Sequence, residues 1–256
     1  MGDGFLSIFK TKAIVIKSMD LKESDKLIWL FTEKLGKVSA VARGARKSKS
    51  KLLPLSLPFC FGEFVLFRGK SMYSINEGEI SNSFQSFLND FESLTYASYL
   101  CELIDIAIVE EESNRELFKE FISAFYLLQN NAVDFKLLIS AFEIKLIIQS
   151  GYYFNLDKCV FCGDKITSAN RFNIQYLGGI CPRCERQQGI KISFATFNAL
   201  RYLVKTPLTN IYKLNLSEEV IEELHNLLIN VIYYNFGKKP HSLEMLNIFR
   251  GVEKNE

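Results

Sequence analysis

Histidine is nearly missing from this sequence: only His225 and His241 occur, far apart and in no nucleophile or metal motif. Acid–base chemistry near neutral pH therefore lacks its usual residue. There is no Gly-x-x-x-x-Gly-Lys-Ser/Thr phosphate loop, no Gly-x-Gly-x-x-Gly turn and no nucleophile elbow, so nucleotide turnover, dinucleotide chemistry and esterase chemistry have no visible seat. A binding protein, not an enzyme, is the expectation. No stretch reaches the roughly 18–20 uncharged apolar residues of a membrane span, and Met1 to Phe9 has no basic segment leading into a long apolar run. Six cysteines in 256 residues are too few for a disulfide-dense scaffold. Cys60 and Cys101 fall in apolar runs, where a thiol packs as a small hydrophobe. A reducing, cytosolic setting without membrane contact is expected. Internal repeats and low-complexity stretches are absent.

What is present is concentrated. Cys159, Cys162, Cys181 and Cys184 form two Cys-x-x-Cys pairs separated by 18 residues, with Gly163, Gly178 and Gly179 beside them. Two such turns brought together offer the four thiolates that tetrahedral zinc takes in closed structural sites. One structural Zn²⁺ is the expectation, and a closed site leaves no position open to a substrate. Two redox pairs or a disulfide framework fit less well, because a thioredoxin-type motif needs a helix N-terminus in a βαβ setting.

Charge is uneven. Residues 1–80 carry 14 Lys or Arg against 8 Asp or Glu, residues 81–150 carry 4 against 11, and residues 151–256 carry 13 against 10. The basic front and mildly basic end suit a polyanion, with nucleic acid the obvious one.

Within the basic front, Lys12–Ser18, Lys26–Thr32, Lys37–Ala42, Phe59–Arg68 and Met72–Ile80 are short β-branched or aromatic runs that predict strands. Five short strands without a helical pattern between them fit a closed barrel of OB-fold type. Between the third and fourth lies Arg43-Gly-Ala-Arg46-Lys47-Ser-Lys49-Ser-Lys51, five cations in nine residues with no anion. Such a loop can track phosphates; the plainer alternative is a flexible, solvated connection. Of the aromatics Trp29, Phe31, Phe59, Phe61, Phe64 and Phe67, most are expected in the core, Trp29 included, with base stacking as the alternative for Trp29.

After Ile80 the apolar period becomes helical. Phe84–Val109, Glu116–Leu128 and Val133–Ser150 predict three helices, the first ending in solvent at Glu110-Glu111-Glu112, the second capped by Asn114 and the third closed by Gly151. Asn155–Gln188 is the metal segment. Phe194–Lys205 is again helical, and Ser217 caps a helix over Glu218–Phe236 that Gly237 ends. Its apolar stripe is Val220, Leu224, Leu227, Leu228 and Val231. The expected fold is α+β: an OB-fold-like, nucleic-acid-binding barrel over 1–80, then an α-helical domain over 81–256 with a Cys₄ zinc knuckle inserted at 155–188.

In this order the parts resemble the RecO family of bacterial recombination mediators. The resemblance spans essentially the whole chain. It rests on Lys12-Ala-Ile-Val-Ile, Glu23-Ser-Asp-Lys-Leu, Leu30-Phe-Thr, Leu35-Gly-Lys-Val-Ser-Ala-Val-Ala-Arg-Gly-Ala-Arg-Lys, Gly62-Glu-Phe, Leu94-Thr-Tyr-Ala-Ser-Tyr-Leu, Ala141-Phe-Glu-Ile-Lys-Leu, Gly151-Tyr, Cys159-Val-Phe-Cys-Gly, Gly178-Gly-Ile-Cys-Pro-Arg-Cys and Ser242-Leu-Glu. It implies a non-enzymatic, nucleoid-associated DNA repair protein that binds single- and double-stranded DNA and anneals complementary strands. It further implies that the protein works with RecR to load recombinase onto DNA coated by single-strand-binding protein, whose C-terminal tail it receives. Arg43, Arg46, Lys47, Lys49 and Lys51 match the family's basic barrel surface. The four cysteines match its metal knuckle, which some members lack. The extension Met1 to Phe9 departs from the pattern. A zinc-ribbon RNA-binding or transcription accessory factor, or a thiol oxidoreductase, would be the rival classes.

Overall fold

β1 (Ile8–Leu21), β2 (Asp25–Thr32), β3 (Gly36–Ala42), β4 (Phe61–Arg68) and β5 (Tyr73–Asn82) close into a barrel in the order β1-β2-β3-β5-β4, with a one-turn helix α1 (Leu52–Leu55) between β3 and β4 where the sequence predicts none. All neighbours are antiparallel except β3 and β5. The structure is a computed structural model that describes residues 7–242 and Met245. Residues 1–6 of the N-terminal extension, and Leu243 and Glu244 of the Ser242-Leu-Glu motif, lie outside the described residues.

Strand alternation explains what fills the barrel. Ala13, Val15, Ile28, Leu30, Val38, Ala40, Phe64, Leu66 and Ile75 point inward and are fully or nearly fully buried. β1 is buried at four consecutive positions, Ala13 to Ile16, because its outer face packs against helix α2 (Phe91–Ala107). On β2 the outward Phe31 is covered by Phe118, with ring centroids 5.5 Å apart.

The predicted Phe84–Val109 helix is divided. A 3₁₀ turn over Gln85–Asn89 comes first, and α2 starts anew where the Asp90 carboxylate accepts from the Ser93 N–H at 2.8 Å. Glu110, Glu111 and Glu112 expose their side chains as expected, but their backbone is not free. The Glu111 N–H donates to the Lys37 carbonyl at 2.9 Å, and Lys37 and Glu110 form a parallel bridge. Lys37 itself is buried, donating through Nζ to the Asp105 carbonyl at 2.7 Å and to its carboxylate at 3.1 Å.

Two compact units divide the chain within helix α3 (Arg115–Gln129): one holds the described residues up to Lys119 with His241 and Ser242, the other Glu120–Pro240. Asn114 caps α3 as expected, its side-chain oxygen accepting from Leu117 at 2.9 Å. In the second unit α4 (Phe135–Gln149) is buried on nearly every side, and α5 (Phe194–Lys205) and α6 (Glu218–Phe236) pack on it. Lys145 of α4 sends its ammonium to the carbonyls of Leu203 and Val204, at 2.9 and 3.3 Å, in the last turn of α5. Burial lowers its pKa, while those carbonyls supply the negative end of a helix. Asp134 and Ser193 cap α4 and α5 through side-chain bonds to Leu137 and Thr196. Ser217 sits at the N-cap of α6 but makes no side-chain cap bond. The predicted stripe of α6 is buried from Leu224 to Val231, joined by Ile221 and Ile232. No helix among the described residues is long and apolar enough to cross a membrane.

Candidate nucleic-acid interface and metal centre

The loop after β3 is built from turns, not slack chain. Gly44 donates its N–H to the Asp25 carboxylate at 2.8 Å, Arg46 donates its backbone N–H to the Ser24 carbonyl at 2.9 Å, and Ala45 is wholly buried in the barrel core. The Gly44 N–H, then the Ser24 hydroxyl, hold the Asp25 carboxyl below its ordinary pKa, aided by the charges of Lys22 and Arg43. Arg43, Arg46, Lys47, Lys49 and Lys51 are all exposed. They are not equally unopposed, which corrects the sequence expectation. The Arg46 guanidinium lies 3.2 Å from the Asp20 carboxylate and donates to the Lys22 carbonyl at 2.7 Å, so it fastens the loop to the β1–β2 turn. Asp20 lies 26 residues before Arg46, too far for any local charge count to register.

Trp29 departs from expectation as well. It is half-buried and points outward between the inward Ile28 and Leu30, opposite Lys17 on β1 and Ser39 on β3. The Lys17 ammonium lies 5.0 Å from the ring centroid. By contrast Phe31, Phe59, Phe61 and Phe64 are buried, and Phe67 is half-buried. The signal was available: period-2 alternation through Ile28-Trp29-Leu30 puts Trp29 and its neighbours on opposite faces.

The four knuckle cysteines converge in the second unit. Their sulfurs all lie within 4.8 Å of one another, and those of Cys162 and Cys181 are 3.6 Å apart. Zinc–sulfur bonds of about 2.3 Å set tetrahedral sulfur–sulfur edges near 3.8 Å, so the donor set fits a metal ion such as zinc. It does not fit a disulfide, whose sulfurs sit about 2 Å apart, and all six cysteines are free thiols. Each pair rides on one turn: Gly163 donates to the Cys159 carbonyl at 2.9 Å, and Cys184 to that of Cys181 at 2.9 Å. A side-chain carbon on Gly178 would fall 2.3 Å from the Asn155 carbonyl oxygen, so this glycine serves close strand packing behind the knuckle.

Burial opposes ionisation of Cys159, but the N–H groups of Cys162, Cys181 and Phe161 outweigh it and bring the thiol down to about 6. Cys162 is pushed up to about 12 by desolvation and its neighbouring sulfurs. Cys159 and Cys181 are buried within the four-sulfur cluster, whereas a redox cysteine needs an accessible thiol. Cys60 and Cys101 are buried, and burial raises both thiols, Cys60 to about 11.

Two family models match the chain: "Recombination protein O N terminal" over residues 6–84 and "Recombination protein O C terminal" over 88–244. The chain belongs to the RecO family. Among its relatives, the DNA repair protein RecO of Clostridium novyi (strain NT) is 53% identical over 256 residues, covering 100% of both chains. That of Clostridium acetobutylicum is 50% identical over 96% of this chain and 99% of its own. That of Acetivibrio thermocellus is 34% identical over 86% and 88%. RecO membership places the chain in DNA repair, and its closed barrel, helices and cysteine cluster are those the sequence led us to expect.

Proposed function

We propose that the protein is a non-enzymatic DNA-binding recombination mediator. It binds single- and double-stranded DNA, anneals complementary strands, and with RecR loads recombinase onto DNA coated by single-strand-binding protein, whose C-terminal tail it receives. Residues 1–80 form the nucleic-acid-binding domain and 81–256 the helical domain, its segment 155–188 folded on one structural zinc held by Cys159, Cys162, Cys181 and Cys184. The protein works in the bacterial cytoplasm at the nucleoid.

The observation that carries this is the fixed turn after β3, with Arg43, Lys47, Lys49 and Lys51 exposed and in none of the ion pairs found among the described residues. Cations so placed release counterions from a phosphate backbone whatever its sequence. Arg46, tied to Asp20, serves both the loop's shape and its charge. Membership of a DNA repair family supports DNA as the polyanion.

The test is the salt dependence of binding. Replacing Arg43, Lys47 and Lys49 by Ala should weaken binding to every single-stranded sequence alike and reduce the magnitude of the log–log salt slope by about 2, at ~0.7 per lost contact. A folded triple variant with unchanged affinity and slope would remove the loop from the interface. An RNA oligonucleotide of the same sequence binding more tightly than DNA would favour the accessory-factor alternative.

A further inference from the structure

The metal knuckle carries two surface features apart from its four sulfurs. Phe161 sits between the ligands Cys159 and Cys162, and Tyr176 lies in the turn after β6 (Arg171–Asn173). Their rings meet edge to face at 5.9 Å, yet both are exposed, at 38% and 48%. Scattered single apolar residues on a surface need no explanation, but a paired aromatic platform left in water is different. It is also held firmly. The Tyr176 N–H donates to the Asn173 side chain at 2.8 Å, its carbonyl accepts from the Asn155 side chain at 3.0 Å, and Phe161 is fixed by the turn that closes on Cys159.

The second feature is electrostatic. Lys158 and Lys165 face each other directly across an antiparallel bridge, both exposed. Like charges so opposed destabilise the pairing. Neither forms an ion pair among the described residues, because the nearby acids are engaged elsewhere: Asp157 with Arg201 at 2.6 Å, and Asp164 with Arg183. Glu185 is the other exposed acid of the segment. Lys158 lies three residues before Phe161, so their Cα atoms are at most about 10 Å apart. Two lysines without ion-pair partners and an open aromatic pair on the same short segment match phosphate and base, the two faces of an unpaired nucleotide.

We infer that the knuckle is a second single-strand binding site, with Phe161 and Tyr176 stacking bases and Lys158 and Lys165 holding the adjoining phosphates. It is separate from the loop after β3. This rests on the proposal that the protein binds single-stranded DNA, and it adds a division of labour: one strand lies on the barrel loop, the other on the knuckle, as annealing requires. A purely metal-holding knuckle would not need the aromatic pair or the unopposed lysines.

The full-length, zinc-loaded protein would be irradiated with an oligothymidylate carrying 5-iodouracil, and the adducts mapped by mass spectrometry. Adducts at Phe161 or Tyr176 are expected beside those at the barrel. In parallel, a Phe161→Ala/Tyr176→Ala variant and a Lys158→Ala/Lys165→Ala variant would be compared with the parent for affinity and annealing rate. Zinc content and melting would be measured alongside. The loop variant carrying Arg43→Ala, Lys47→Ala and Lys49→Ala should retain residual binding. Adding the aromatic substitutions should lower that binding about tenfold further, equivalent to ~1.4 kcal/mol. Each knuckle variant alone should anneal at least about tenfold more slowly with zinc retained, and the aromatic variant should keep the parent's salt slope. If the parent binds and anneals while both zinc-loaded knuckle variants match it and no knuckle adduct forms, the second site is refuted and the barrel proposal stands. If the parent itself binds no oligonucleotide, the underlying proposal fails. If an acidic peptide responds to the variants and the oligonucleotide does not, the face belongs to a protein partner and the inference is overturned.

Discussion

Gly36 and Glu112 occupy touching positions: a side-chain carbon on Gly36 would lie 2.1 Å from the Glu112 carbonyl oxygen and 2.5 Å from its carbonyl carbon. Gly36 also has a φ of +70° where β3 begins, a conformation that L side chains rarely adopt. The contact is between backbones, so no rotamer change relieves it. It sets how closely the stretch after α2 docks on β3, beside the bond from Glu111 to Lys37.

Gly36→Ala should therefore cost about 3 kcal/mol or more, combining left-handed strain with the backbone clash. Urea denaturation should show a lower midpoint with a slope near that of the parent. A midpoint within error of the parent would mean that the stretch from Glu110 to Glu112 yields without loss.

Metal analysis should return about one zinc per chain, as a four-thiolate site holds one ion. Cys162→Ser, or a strong chelator, should unfold the knuckle, because zinc binding of order 10 kcal/mol is folding energy at such sites. Hydrogen exchange would then accelerate over Asn155–Gln188. Unchanged exchange in zinc-free protein would make the metal dispensable.

Trp29 is the only tryptophan in the chain, so its emission reports one place. If bases stack on the outer face of β2, single-stranded DNA should quench that emission. Trp29→Ala should then weaken binding by about 1–3 kcal/mol, and the salt slope should stay that of the parent, because no cation is removed. Unaltered emission at saturating DNA would confine Trp29 to its contact with Lys17.

Asp25 provides a pH test. Its carboxyl is held below its ordinary value by Gly44 and Ser24. Its contribution is therefore present at pH values above the unfolded aspartate pKa of about 4 and lost as the pH falls through the lower folded value. Asp25→Asn should lower the melting temperature at neutral pH, and the gap from the parent should close on acidification. A gap that stays constant with pH would show that the carboxylate charge plays no part in latching the loop.

The strands, the cysteine cluster and most helix ends were legible because each is set by local chemistry: alternation, ligand spacing, caps at Asn114 and terminators at Gly151 and Gly237. What escaped depends on partners distant in sequence. Arg46 looks like a free cation until Asp20 is brought beside it, and the apolar β1 run shows its two-sided burial only once α2 lies on it. Ala45, one small residue in a run of cations, is core, which the run itself does not signal. Trp29 differs for another reason: its apolar neighbours suggest core, while the strand's own alternation turns it to the opposite face. The break before α2 was also local, since Asp90 is an ordinary N-cap within an otherwise continuous apolar pattern.

Ala45 sits inside the barrel while Arg43 and Lys47, two residues to either side, face solvent. The loop is thereby pegged at its middle. A chain segment ordered only on meeting DNA would surrender about 1–2 kcal/mol of backbone entropy per residue. Here much of that ordering belongs to folding of the barrel, so under the proposed function strand capture would cost mainly the motion of lysine and arginine side chains. Association at this loop should consequently be fast, show little heat-capacity change from coupled folding, and be lost through faster dissociation when the peg is disturbed.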